Sequence, residues 1–335
     1  MQRLLFVKSR RASFIELDER LLAERYDVHE IYQPGHFSDP RTVIREVRSA
    51  DVIVGWWASW HTFLPFTLAW LLRKPSLLIV GGFDTAAEPE YGYGYQLGGP
   101  RAWLSRWIMR RARTLMTNSE YSREEIGRNI GIAPERVRVV HHGVPDAYAA
   151  AGRTGPDPSS PDSASPTRPL AITVGNVDHT NLDRKGIRAF VQAAEQVPEV
   201  DFVVAGRIIG GAGAELEGIA TSNVRLTGWL EDEELERLLA NARVYVQASK
   251  HEGFGVAVAE AMLARCVPVV TRAGALPEVV GDTGVLLVDD RPKTVALGVR
   301  EALHLNLGEA ARERALECFG VPQRREGLFA LLDEL

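Results

Sequence analysis

The chain alternates short apolar runs with longer stretches whose apolar residues recur every three or four positions. In the first half, Leu4–Val7, Val28–Tyr32, Asp51–Gly55, Ser76–Val80, Thr114–Thr117 and Val137–Val140 read as strands. Helical patterns lie between them: through Leu17, Leu21 and Leu22, over Pro40–Ser49, through Phe63, Leu68 and Leu71, over Arg101–Arg113, and from a cap at Asn118 or Ser119 through Ile126. The second half repeats the alternation, with strands expected over Leu170–Val174, Asp201–Ala205, Val224–Leu226, Val244–Val246, Val267–Val270 and Val285–Val288. Strand–helix alternation predicts βαβ units around parallel sheets, hence an α/β protein. Gly152 to Pro169 is rich in Pro and Ser and shows no apolar periodicity, so it reads as a flexible linker. The expected organisation is an N-terminal domain over 1–150, a linker over 151–169 and a C-terminal domain over 170–320. A C-terminal helix over 321–335 could pack back on the first domain. Two such domains imply a cleft, with ligands beyond the carboxyl ends of the strands.

One strand end stands out. After Val244–Ala248 comes Ser249-Lys250-His251-Glu252-Gly253-Phe254-Gly255-Val256, which leads into a helix-favouring run to Ala264. Glycines where a strand turns into a helix leave backbone N–H groups and the positive helix end open to an anion or to hydroxyls. Glu252 and Glu260 bracket this turn, and a carboxylate can accept from both hydroxyls of a diol. A bare Glu-x7-Glu would more often be a turn and a solvated helix residue; the glycines, the strand and the helix reverse that preference.

Other strand ends add candidates. Arg184-Lys185-Gly186 reads as the start of a helix, where a basic pair is electrostatically disfavoured, so its charge is aimed at an anionic group. Arg207 ends another strand, and Gly228-Trp229-Leu230 a third. Gly81, Gly82 and Asp84 follow one first-half strand, and Trp57 and His61 another. The Gly- and Tyr-rich stretch Phe83–Gly99 reads as a long loop whose Tyr91, Tyr93 and Tyr95 could stack on a sugar or simply pack. Arg101–Arg113 reads as a basic amphipathic helix. Its apolar stripe is expected to pack on the sheet, with an anionic membrane as the alternative.

Length and composition narrow the classes. The 335 residues suggest two domains, and 45% hydrophobic with 25% charged residues is a soluble globular profile. A net charge of -5 gives no electrostatic case for nucleic acid. Residues 1–150 hold 20 Lys and Arg against 17 Asp and Glu, and the remainder 19 against 27, so the first half is mildly basic. Two distant cysteines make a disulfide framework or a Cys-based metal site implausible, which suits a reducing cytoplasm. No acidic cluster suits a hard cation, so no metal is expected. The first apolar run is too short for a signal peptide, and Phe63–Leu72 is too short to span a bilayer.

The second half resembles the C-terminal domain of retaining nucleotide-sugar glycosyltransferases of the two-Rossmann-domain (GT-B) type, glycosyltransferase family 4-like or glycosyl transferases group 1. The matching stretches are Asp183–Gly186, Gly228–Leu230, Ser249–Met262, Val267–Val270 and Gly274–Val280. The first half is similar through Asn118–Ser122 and His142–Val144. The resemblance implies two Rossmann-like domains facing each other across a cleft, and sugar transfer from a UDP- or GDP-sugar to a saccharide, lipid or small-molecule hydroxyl. It implies that Glu252 contacts the donor sugar and that Lys185 binds the diphosphate. It further implies that the backbone of Gly253, Phe254, Gly255 and Val256 meets hydroxyls and phosphate, that Glu260 holds the ribose, and that Trp229 and Leu230 face the base. Two departures are visible: Asn176 stands where the family commonly has an arginine, with Arg184 or Arg207 as the candidate to stand in, and Gly81-Gly82 where it often has a histidine. They keep two other readings in play, a phosphorylase or epimerase on the same scaffold and a non-catalytic nucleotide-sugar binder. The expected location is cytoplasmic, with peripheral contact at the inner membrane face left open.

Overall fold

The computed structural model describes residues 1–35, 39–149 and 168–335. The linker expected over 151–169 lies, but for its last two residues, outside them. The chain divides into two compact units, Met1–Gly143 with Val321–Leu335, and Val144–Gly320.

The first unit holds β1 (Arg3–Lys8), α1 (Ser13–Ala23), β2 (Asp27–Tyr32), α2 (Pro40–Ser49), β3 (Val52–Trp56), α3 (Trp60–Leu71), β4 (Ser76–Ile79), α4 (Gly99–Arg111), β5 (Thr114–Thr117), α5 (Glu120–Ile130) and β6 (Val137–Val139). Its strands form one parallel sheet in the order β2-β1-β3-β4-β5-β6. The second unit holds β7 (Leu170–Val174), α6 (His179–Arg184), α7 (Ile187–Ala193), β8 (Asp201–Ala205), α8 (Ala212–Glu217), β9 (Val224–Gly228), α9 (Asp232–Asn241), β10 (Val244–Gln247), α10 (Val256–Leu263), β11 (Val267–Thr271), α11 (Leu276–Val280), β12 (Val285–Leu287), α12 (Pro292–His304) and α13 (Gly308–Phe319). Its sheet, also parallel, runs β12-β11-β10-β7-β8-β9. The last helix, α14 (Val321–Asp333), belongs to the first unit. Both units are Rossmann-like, with helices covering both faces of a buried sheet.

Each sheet separates two apolar clusters. In the second unit one includes Phe190, Phe202 and Val299, and the other Tyr245, Met262 and Phe319. Local chemistry sets the helix ends: Asp39 accepts from the N–H groups of Arg41 and Thr42 with Pro40 in the first turn, and Ser119 accepts from Ser122 N–H.

Two expectations are corrected here. Phe83–Gly99 is not an open loop but is folded into three short 3-10 turns, at Gly82–Asp84, Pro89–Tyr91 and Tyr95–Leu97. The rings of Tyr93 and Tyr95 each pack 4.9 Å from Phe83, so these two tyrosines are engaged within the segment. Along α4, Leu104, Ile108 and Met109 turn inward as expected, but Trp103 is 58% exposed.

α14 is anchored by a buried ion pair. Arg324 Nε and Nη2 donate to the two Asp18 oxygens at 2.8 and 2.7 Å, both side chains being 1% exposed. Asp18 Oδ2 also accepts from Trp56 Nε1 at 3.0 Å, and Arg324 Nη1 donates to the Val140 carbonyl at 2.7 Å. Removing one partner strands a buried charge. Arg324→Met is expected to destabilise the first unit by about 3–5 kcal/mol, read in urea unfolding followed by tryptophan fluorescence. An unchanged midpoint would refute this anchor.

Candidate active site

In the second sheet the strand order reverses between β7 and β10, which pair with Val244 opposite Ala171. Ligands in such sheets bind outside the carboxyl ends of the strands where the order reverses. From β7 the chain reaches α6 and Lys185; from β10 it reaches Glu252. The two side chains meet, with Lys185 Nζ 3.2 Å from Glu252 Oε1.

A set of hydrogen bonds aims Glu252. Tyr245 Oη donates to Gln247 Oε1 at 2.8 Å, and Gln247 Nε2 donates to Ser249 Oγ at 2.7 Å and to Glu252 Oε1 at 3.3 Å. Ser249 Oγ donates to the same oxygen at 3.0 Å. Gln247, Ser249 and Lys185 all meet Glu252 Oε1; among the described residues none donates to Oε2. Burial by itself would push the Glu252 carboxyl up, toward its neutral form; the Lys185 ammonium, then the Arg184 guanidinium, outweigh it and hold the group below its ordinary value. Glu252 is therefore an ionised acceptor with one oxygen to offer.

The backbone is fixed as tightly. Gly274 has φ +60, and a Cβ there would lie 2.1 Å from the Glu252 carbonyl oxygen. That carbonyl accepts from Ala275 N–H at 2.9 Å. Gly255, with φ 103, opens α10; its carbonyl accepts from Val258 and Ala259 N–H, while among the described residues the N–H groups of Val256 and Ala257 have no partner. The Phe254 side chain is buried against Phe319, so Phe254 can meet a ligand only through its backbone.

Arg184 and Lys185 are corrected. Arg184 ends α6 and Lys185 is its C-terminal cap, while Gly186 precedes α7. Cations are favoured at a helix C-terminus, so the expected electrostatic mismatch does not exist. Arg184 is buried and donates to the His251 carbonyl at 3.2 Å and to Asn181 Oδ1 at 2.6 Å, which makes it a brace for the Glu252 turn.

Glu260 has a different environment. It sits on the second turn of α10, and among the described residues its carboxylate makes no hydrogen bond or ion pair. Burial, followed by the charges of Asp232 and Glu236, raises it to about 7. At the ends of β8 and β9, the Arg207 guanidinium lies 5.2 Å from the exposed Trp229 ring, and Gly228 has φ 72. Leu230 packs at the edge of the apolar cluster.

In the first unit the order reverses between β1 and β3. Trp57, just past β3, has φ 64, unusual for a bulky residue, and Arg10 stacks 4.6 Å from its ring. Asp84 is turned inward, accepting from Ala58 and Gly81 N–H at 2.9 Å each, and burial raises it to about 7 despite those bonds. Gly81 and Gly82 both have positive φ. His61 is buried with Nε2 2.7 Å from the Trp56 carbonyl, and burial lowers it to about 4, so it is neutral at pH 7. Asp84 and His61 thus hold strand-end backbone.

Sequence reading missed Tyr245, Gln247, Ser249 and the contact of Gly274 with Glu252. The signal for the first three was present: they are alternate residues of β10 and its extension, on one face of the strand.

The family model Glycosyl transferases group 1 matches residues 168–304, and Glycosyltransferase Family 4 matches 14–148. An alpha-maltose-1-phosphate synthase of Mycolicibacterium smegmatis is 27% identical, covering 79% of this chain and 72% of its own. An MMP alpha-(1->4)-mannosyltransferase of Mycolicibacterium hassiacum is 30% identical over 64% of this chain, which spans about half (53%) of that relative. HepE of Anabaena, solved in complex with UDP and glucose, superposes with a TM-score of 0.75 at 17% identity, both chains covered at 100%. Sucrose-phosphate synthase of Thermosynechococcus elongatus gives 0.74 at 17% identity, with 100% of this chain and 99% of that one covered.

An acid raised on folding binds its proton more tightly folded than unfolded, so stability falls as pH climbs from its ordinary value to its raised one. For Glu260 that window runs from 4.5 to about 7. Glu260→Gln removes the slope. Between pH 5 and pH 8 the ligand-free parent should lose about 1–3 kcal/mol relative to the variant, measured by unfolding at several pH values. Parallel pH profiles would show that Glu260 is not raised.

Proposed function

The chain belongs to the glycosyl transferases group 1 and glycosyltransferase family 4, and on that footing we propose that it moves a sugar from a nucleoside-diphosphate sugar to an acceptor hydroxyl with retention of anomeric configuration. The observation that carries this reading is the Lys185–Glu252 contact of 3.2 Å at the strand-order reversal of the second sheet.

The roles follow from the chemistry of each group. As the bond to the departing diphosphate stretches, negative charge grows on its oxygens and positive charge on the sugar ring. Lys185 and the N–H groups of Gly255 and Val256 at the start of α10 stabilise the first. Glu252, ionised and with Oε2 open, accepts from the sugar's hydroxyls. Glu260 accepts from both ribose hydroxyls, and the exposed Trp229, backed by Arg207, covers the base. Arg184 acts through the backbone it braces. With positive charge supplied by Lys185 and a helix end, the reaction needs no divalent metal in this scheme. Retention calls for attack on the face the diphosphate leaves, with a phosphate oxygen taking the acceptor's proton. The acceptor is assigned to the first unit, near Trp57, Gly81 and Gly82. A cytoplasmic setting supplies UDP- and GDP-sugars.

A melting screen against UDP, GDP, ADP and their sugars identifies the donor, since a specific ligand stabilises in proportion to its affinity. Stabilisation by one nucleotide is expected; no affinity for any of them would overturn the reading. Glu252→Ala and Lys185→Ala should each lower kcat with that donor by about a hundredfold or more. Turnover equal to the parent's would remove the assigned residue from the site, and proton NMR of the product's anomeric centre decides retention. If the ribose binds the ionised form of Glu260, donor affinity should rise between pH 6 and pH 8. That dependence should vanish in Glu260→Gln; isothermal titration reads both.

A further inference from the structure

The polarity of α3 is inverted. Its polar residues are His61, Thr62 and Thr67, and His61 and Thr62 are buried, at 4% and 0% exposure. Thr62 Oγ1 donates to the Trp57 carbonyl at 2.7 Å, and His61 bonds to the Trp56 carbonyl. The outward positions are apolar: Trp60, Trp70, Leu71 and, at the helix cap, Leu72 are 40, 49, 61 and 45% exposed. α4 lies alongside, with Trp107 Nε1 3.4 Å from Thr67 Oγ1. Its exposed Trp103 stacks on Trp107 at 5.6 Å, and the Arg111 guanidinium covers both Trp107 and Trp70. Four of the chain's seven tryptophans lie on these two helices. Phe66, Ala69, Leu104 and Ile108 serve the core and Trp107 packs against it, whereas Trp60, Trp70, Leu71, Leu72 and Trp103 lie outside that cluster.

Charge singles out the same surface. Residues 52–83 and 91–119 contain no Asp or Glu, yet carry Arg73, Lys74, Arg101, Arg106, Arg110, Arg111 and Arg113. Among the described residues none of these seven is ion-paired. Elsewhere on this unit surface arginines do find carboxylates, as in Arg25 with Asp333, Arg138 with Glu334 and Arg325 with Glu24. Arg106, Arg110 and Arg111 donate to the neutral oxygens of Gln96, Ile130 and Trp107, and Lys74 to two backbone carbonyls, so their charge is not neutralised. Net positive charge beside exposed Trp and Leu matches an anionic bilayer surface, where indole rings sit at headgroup level and basic side chains meet lipid phosphate. Among the described residues no helix is long and apolar enough to cross a membrane. We propose that the outer face of α3 and α4 is a peripheral docking surface for anionic lipid. The occupant is the charged bilayer itself, and the proposal stands independently of the sugar-transfer reading.

The test is co-sedimentation of the full chain with vesicles of phosphatidylcholine, and of phosphatidylcholine mixed with phosphatidylglycerol, with no nucleotide present. Binding to the anionic vesicles alone is expected, lost at high salt and accompanied by a blue shift of tryptophan emission. The triple variant Trp70→Ser, Leu71→Ser, Trp103→Ser should bind at least about tenfold more weakly. Val288→Ser with Leu297→Ser, which removes exposed apolar groups from the second unit, should bind as the parent does. Should the triple variant melt early, Arg73→Gln with Arg101→Gln replaces it, with weaker anionic binding again expected. No binding to anionic vesicles, or binding untouched by these changes, overturns the proposal. So does sedimentation velocity showing a parent dimer that the triple variant dissociates, which would make a second copy the occupant.

Discussion

The contact between Lys185 and Glu252 governs the second unit. A carboxylate and an ammonium enclosed together each lose hydration, and only close approach with added hydrogen bonds compensates. The fold supplies both. Ser249 and Gln247 donate to the carboxylate from one side and Lys185 from another, all to the same oxygen. The pair also sets chemical character: with Lys185 beside it Glu252 stays ionised, whereas Glu260, eight residues on and facing Asp232 and Glu236 with no cation, rises to about 7. Two glutamates on one strand–turn–helix segment therefore differ in charge at neutral pH because their neighbours differ.

That geometry demands backbone in positions no side chain could share. The turn carrying Glu252 lies against Gly274, where any Cβ would collide with the Glu252 carbonyl. From below, the buried Arg184 holds the His251 carbonyl. Position is thus imposed by loops from β7, β10 and β11 together, as expected where a parallel sheet reverses its strand order.

How much of this was legible follows from where the signal resides. The inner strands, such as β1, β3, β10 and β11, were readable because a strand buried on both faces must be apolar. β9 was read short, since Thr227 and Gly228 extend it without apolar side chains. The Glu252 turn was readable because glycines between a strand and a helix are a local signal. Arg184 and Lys185 were misplaced at a helix start because a six-residue helix, α6, carries too few turns to show periodicity. The Tyr245–Gln247–Ser249 relay escaped because hydrogen bonds along a strand face leave no compositional trace. In the first unit, Asp84 and His61 were read as groups facing a ligand. They are instead satisfied by main chain, a distinction that only coordinates make.

The same satisfaction shapes the outside of that unit. Past β3 the chain turns sharply through Trp57 at φ 64, leaving the Trp56 and Trp57 carbonyls to be met by donors from the first turn of α3. His61 and Thr62 are the residues within reach, so the helix turns its polar side chains inward and spends them on backbone. A helix constrained in this way could still have carried Lys or Glu on its outer positions at no cost to the core. It carries Trp60 and Trp70 instead, and the chain runs on through Leu71 and Leu72 to Arg73. The constraint at the strand end accounts for the buried polar residues; it does not account for the exposed apolar ones. The anionic bilayer proposed above is a surrounding less polar than water and richer in negative charge than the protein's own surface, and among the described residues the neighbouring arginines pair with no carboxylate.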